Sequence, residues 1–222
     1  MESDSQESTT SIEKPNILLV EGTDEKLFFH YFFKFLKESE GHIWDNLDNL
    51  QVIDYEGTPN FEKNLEIILT KMSGSEIIQK VGIIRDADTD HNQAFSAIKT
   101  VLHRIGITSP DSPLTPTTGH PSINIMIVPE TGSGSIEIYF LDSVNQDPAT
   151  SCVEKYFSCL QPFYDDAKLK KPKNIHKAKL QAFLSSRKVP KASFGGGAQE
   201  EYWTYSDPAF SRFKDFLRQL ID

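Results

Sequence analysis

Short apolar runs with acids at their carboxyl ends recur along this 222-residue chain and alternate with segments of helical periodicity. Asn16-Ile-Leu-Leu-Val20 reads as a strand buried on both faces, and Glu21-Gly-Thr-Asp24 as the turn behind it. A helix is expected from about Asp24 to Lys37, with Thr23 as its cap and a Phe-rich face in the core. Gln51 to Tyr55 predicts a second strand, Glu56 to Asn60 a turn, and Phe61 to Lys71 a helix. Lys80-Val-Gly-Ile-Ile-Arg85 predicts a third strand running into Asp86-Ala-Asp88, followed by a helix from about Asn92 to Ile105. Residues 107–122 hold Pro110, Pro113, Pro116 and Pro121 and read as a loop. Ser122 to Val128 predicts the fourth strand, and a helix starts near Ser135. Alternation of this kind predicts an α/β fold. The expectation is a parallel sheet of about four strands with helices on both faces, over residues 15–145. A mainly helical C-terminal extension over 146–222 packs on it, and residues 1–14 form a disordered tail.

In parallel sheets, ligand sites gather at the carboxyl ends of the strands. Glu21 follows the first strand, Asp86 and Asp88 the third, and Glu130 and Glu137 the fourth. Crowded carboxylates repel one another unless a cation neutralises them. Hard divalent ions take oxygen ligands, and a pair of them can clamp the attacking and leaving oxygens of a phosphodiester. Glu25 lies four residues after Glu21, so both can face one ion. Asp86 and Asp88 project to the same side if the chain there is extended.

The segments LLVEGTDEKLF, VGIIRDADTD and IVPETGSGSIEIYF resemble the Toprim domain, in the branch of small stand-alone proteins of unknown function and OLD-family nucleases. The resemblance covers about residues 16–142 and implies a Toprim-like sheet. It places Glu21, Asp86 and Asp88 in the metal site, with Glu25 and Glu137 as the further acids of OLD-type members. The implied cofactor is a pair of Mg²⁺ or Mn²⁺ ions. OLD-type nucleases also carry a catalytic lysine after these acids, for which Lys173 or Lys177 stands in position, Lys177 being preferred. The C-terminal third resembles an uncharacterised Toprim-related family ending in a Trp and a helix.

Other motifs read less sharply. Asp86-Ala-Asp88-Thr89 is similar to the haloacid-dehalogenase nucleophile motif but has Asp90 where that motif has Thr or Val. Gly132-Ser-Gly134 could cradle phosphate, yet it lacks the Lys-Ser/Thr of a P-loop and the third Gly of a dinucleotide fingerprint. His91 is a ligand, an acid/base or a solvated loop residue.

Net charge is −9, so the whole-molecule field repels nucleic acid at long range. Residues 168–191 nevertheless carry nine Lys or Arg and no acid, a segment of +9 that leaves −18 on the rest. A helix from about Asn174 to Arg187 is expected there. Lys170, Lys171, Lys173, Lys177 and Lys179 could track a nucleic-acid backbone, or simply pair with the acidic body. Cys152 and Cys159 are two helical turns apart, roughly 10 Å, which excludes a disulfide and predicts reduced thiols on a core-facing stripe of a cytoplasmic protein. No apolar run approaches the length of a membrane span, and the first 14 residues have no signal-peptide core. Gly195-Gly-Gly197 reads as a hinge or tight turn. Trp203 and its neighbouring tyrosines could stack on bases but are expected in the core or in packing roles, and Asp207 caps a final amphipathic helix bearing Phe210, Phe213, Phe216, Leu217, Leu220 and Ile221.

Two function classes follow. One is a Mg²⁺- or Mn²⁺-dependent phosphodiester-cleaving, nuclease-like protein acting on nucleic acid, with Glu21 and Lys177 catalytic. The other is a non-catalytic metal- or nucleic-acid-binding module, an accessory to an ATPase that must be a separate subunit because this chain has no Walker motif.

Overall fold

The computed structural model describes residues 11–57 and 60–222. Four strands, β1 (Asn16–Val20), β2 (Leu50–Asp54), β3 (Lys80–Asp86) and β4 (Ser122–Val128), pair in parallel in the order β2-β1-β3-β4. Among the described residues, eight α-helices surround or extend the sheet: α1 (Thr23–Glu40), α2 (Phe61–Thr70), α3 (His91–Arg104), α4 (Glu137–Ser143), α5 (Pro148–Asp165), α6 (Ile175–Ser185), α7 (Phe194–Gln199) and α8 (Ser211–Ile221). The α/β expectation and all four strands hold, with ends displaced by a residue at most.

Strand alternation divides the core in two. Leu18, Val20, Ile84 and Met126 point to one face, where they meet Phe28, Phe29 and Phe32 of α1. Ile17, Leu19, Val81 and Ile83 point to the other, against Leu65 and Ile68 of α2 and Phe95 and Ile98 of α3. The strand order explains the split. The step from β1 to β2 runs one way across the sheet, and the steps from β2 to β3 and β3 to β4 run the other way. Right-handed crossovers therefore put α1 on one face and α2 and α3 on the opposite one. The direction reverses between β1 and β3, which leaves a crevice at their carboxyl ends.

The C-terminal segment is helical, as expected, and fills the α1 face. Phe28 of α1 lies 4.9 Å from Phe140 of α4 between ring centroids, and Phe140 lies 4.6 Å from Phe194 of α7. In α8, Phe213, Phe216, Leu217, Leu220 and Ile221 are all buried, each contributing roughly 1.5–3 kcal/mol of apolar burial. Gly82 of β3 admits this helix, because a Cβ there would run into Leu220 and Phe216.

Several local expectations are corrected. Of the supposed tail, residues 11–14 lie against the body: Ile12 is buried and its N–H donates to Ser73 O at 2.7 Å. Residues 1–10, and positions 58 and 59 of the turn after β2, lie outside the described residues. Gly22 rather than Thr23 is the N-cap of α1, and its N–H is satisfied by the Glu25 carboxylate at 3.0 Å. Cys152 and Cys159 are free thiols but exposed, because α5 buries the stripe of Val153 and Phe157 instead. Residues 195–197 are helical: the missing side chain of Gly195 lets α7 press on the first turn of α1, and that of Gly197 admits the Trp203 ring. Among the described residues, no helix is long and apolar enough to cross a membrane.

Candidate functional site

The β1–β3 crevice is where the acids meet. Glu21 leaves the end of β1, and its carbonyl accepts the Gly57 N–H at 2.8 Å, which fixes the turn to β2. Asp86 closes β3, and its Oδ1 accepts the Ile136 N–H at 3.0 Å. Glu25 stands in the first turn of α1, and Glu137, only 5% exposed, opens α4. Ser135 Oγ donates to Glu137 Oε2 at 2.5 Å, and Asn174 Nδ2 donates to that same Ser135 Oγ at 2.6 Å.

These carboxylates feel one another. Burial, then the charges of Glu137, Glu21 and Glu25, raise the Asp86 carboxyl well above the usual range. Burial, then Glu21 and Asp24, push Glu25 up to about 8. Asp24 is also raised, by burial first, although Ser193 Oγ and the Gly195 N–H both donate to its Oδ1. Beneath the cluster, the Tyr55 hydroxyl is buried without a hydrogen-bond partner. Arg85 stacks its guanidinium 4.6 Å from the Phe61 ring centroid and leaves Nη1 unpartnered. Burial and the Glu21 charge raise the Tyr55 phenol, which puts it within reach of the same field.

Glu21, Glu25, Asp86 and Glu137 are thus brought together, and Asp88 leaves the line of the strand for the exposed edge. The extended chain that would have aligned Asp88 with Asp86 ends at Asp86. Asp88 takes φ 51°, is exposed, and forms a two-way backbone bridge with Gly134 at 2.9 Å. Gly132-Ser-Gly134 therefore pins the Asp88 loop. His91 joins it there, its Nδ1 3.1 Å from Pro129 O. Glu130 turns away to pair with Arg212 of α8.

The basic stretch is divided. Lys179 pairs with Glu154 at 2.6 Å and Arg187 with Asp147 at 2.7 Å, while Lys168 and Lys191 also have carboxylate partners. Lys170, Lys171 and Lys173 are exposed and have no carboxylate within 4.0 Å among the described residues. Lys177 projects from the first turn of α6 toward the acids. It lines a cavity of about 520 Å³ together with Asp24, Glu137 and Ser193, and its charge favours ionised Asp24.

As a donor set, the cluster suits a hard divalent cation, which would relieve both burial and mutual repulsion. Among the described residues, no three acidic, His or Cys side chains close to the spacing of a formed metal centre. One oxygen each of Glu25, Asp86 and Glu137 is instead held by a neighbouring N–H or hydroxyl. Sequence reasoning missed Asp24, Ser135, Asn174, Ser193, Tyr55 and Arg85 as members of this neighbourhood. Only Asp24 carried a signal, as a second acid in the first turn beside Glu25.

The sequence matches the family described as "Protein of unknown function (DUF3226)" over residues 15–222. The chain belongs to this family. The DUF3226 match spans the sheet and the C-terminal helices together, in keeping with their shared core. No curated protein and no solved structure matches the chain.

Proposed function

We propose that this protein is a Toprim-like, Mg²⁺- or Mn²⁺-dependent phosphodiester hydrolase acting on nucleic acid. The observation that carries the reading is the mutual repulsion of Glu21, Glu25, Asp86 and Glu137 at the β1–β3 crevice. Of the four, Glu137 is buried and the other three are half-buried, and burial with the neighbouring charges raises Glu25 and Asp86. The order of acids along the chain, which resembles the Toprim pattern, supports it.

Glu21, Glu25, Asp86 and Glu137 would hold the ions, with Asp88 at the edge of the set. Bound there, two such ions supply an activated water and neutralise charge on the scissile phosphate. The chain's own groups do the rest. Ser135 and Asn174 fix the Glu137 carboxylate. Lys177 offers a cation to a phosphate oxygen from the α6 side. Lys170, Lys171 and Lys173 give the strand a path over the surface.

The second reading, a binding module without hydrolysis that serves a separate ATPase, draws on the hydrogen bonds already made by three of the four carboxylates. The two divide on one experiment. Wild-type protein with Mn²⁺ should nick supercoiled plasmid, and Glu21→Gln should abolish nicking. Equal inertness of both across divalent metals, with calorimetric Mn²⁺ binding intact, would select the binding module.

A further inference from the structure

The cavity beside the acid cluster has an apolar floor and a charged rim. Leu180 and Phe194 are buried at its base, Glu137 forms the wall shared with the acids, and Lys177 stands exposed at the mouth. Asp24 and Ser193 face each other across one side, their hydrogen bond fixing both side chains. At about 520 Å³ the space lies in the range of sites that enclose one small ligand.

We propose that this cavity receives a single unpaired nucleotide adjoining the scissile phosphate, so that the substrate is a single strand or a frayed or flipped end rather than intact duplex. This assignment rests on the hydrolase reading for the polymer to which the nucleotide belongs. Leu180 and Phe194 line the floor against which the face of a base would lie, and Asp24 Oδ2, the oxygen engaged by neither Ser193 Oγ nor the Gly195 N–H, offers an acceptor to its edge. Lys177 lies where the attached phosphate would leave the mouth toward Glu137. A paired base cannot enter such a slot without leaving its stack. The slot is built jointly by the first turn of α1, by α4, and by the α6–α7 segment, so the C-terminal helices supply the selectivity and the sheet supplies the acids.

The test uses the full chain with Ca²⁺ in place of Mn²⁺. A fluorescein-labelled single-stranded oligodeoxyadenylate is compared by anisotropy with the same strand annealed to its complement. Single strand should bind at least about tenfold more tightly, the scale of one stacked base. Ala192→Trp and Gln181→Trp, both at the exposed rim, should each close the slot and remove that advantage without changing calorimetric Mn²⁺ binding. Equal binding of single strand and duplex, or wild-type binding by both tryptophan variants, overturns the assignment. Tight single-strand binding without cleavage in Mn²⁺ upholds the slot and sinks hydrolysis. Indifferent cleavage of duplex and single strand by the wild-type protein in Mn²⁺ does the reverse.

Discussion

Asn174 Nδ2 donates to Ser135 Oγ at 2.6 Å across a gap of 39 residues that contains all of α5. The same Asn174 caps α6 by accepting the Lys177 N–H at 2.9 Å, and Ser135 passes the chain of bonds on to Glu137. One side chain thereby ties the acidic wall to the helix that carries Lys177. Asn174→Ala should lose about 1–2 kcal/mol in urea denaturation, from the cap and the orphaned serine together. Asn174→Asp keeps the capping oxygen and should recover part of the loss; wild-type stability in the alanine variant would contradict the link.

Asp86→Asn removes the carboxyl whose ionisation burial and its acidic neighbours oppose, while leaving an oxygen for the Ile136 N–H. Metal-free variant should be more stable than wild type by about 0.5–2 kcal/mol, as is common when a functional site is neutralised. Mn²⁺ should raise the melting temperature of wild type and leave that of the variant unmoved. Thermal melts with and without Mn²⁺ read both effects.

Glu25 gives the metal-free protein a pH signature. Its carboxyl titrates near 4.5 when unfolded and near 8 when folded, so the folded state holds the proton to higher pH. The stability contribution is therefore complete below about 4.5 and is lost as pH climbs through about 8. Denaturation midpoints should fall from pH 5 to pH 9 in wild type and fall less in Glu25→Gln. Mn²⁺ must displace that proton, so its affinity should rise over the same interval. A flat profile in both proteins would remove Glu25 from the cluster.

The glycine run separates packing from hinge motion. A methyl at Gly195 would overlap the Asp24 carbonyl, whereas one at Gly196 meets only the Lys191 side chain, at 3.3 Å. Gly195→Ala should cost about 1–3 kcal/mol and Gly196→Ala less than about 0.5 kcal/mol. Similar small effects at both positions would restore the hinge.

Nucleic-acid affinity should depend on the unpaired lysines. Replacing Lys170, Lys171 or Lys173 by Ala should each lower the slope of log affinity against log salt by about one. Lys179→Ala should change the slope least, because Glu154 already neutralises that charge. Slopes that respond to Lys179 and not to the other three would move the strand's path elsewhere.

The strands and most helix ends were readable because their signals are local. Unbroken apolar runs, a capping Asp207 and the run from Phe210 to Ile221 each sit within a dozen residues. The acids at strand ends were readable for the same reason, given parallel topology. What escaped depends on contacts between distant segments. Nothing near Asn174 announces Ser135, and nothing near Gly195 announces Asp24. Asp88 was misplaced because the alternation that carries Asp86 inward stops one residue before the left-handed turn imposed by the bridge to Gly134. The thiols were misplaced because α5 has two apolar stripes and only tertiary packing selects between them.

The seat of α8 on Gly82 has a consequence for how the molecule is made. β1 and β3 are synthesised long before α8, whose Leu220 and Phe216 side chains close over Gly82. During translation the sheet lacks that cover, and the apolar surface that α8 will bury is carried on a nascent chain. Chain closure is thus vectorially delayed, and the unfinished polypeptide is the form most exposed to chaperone capture.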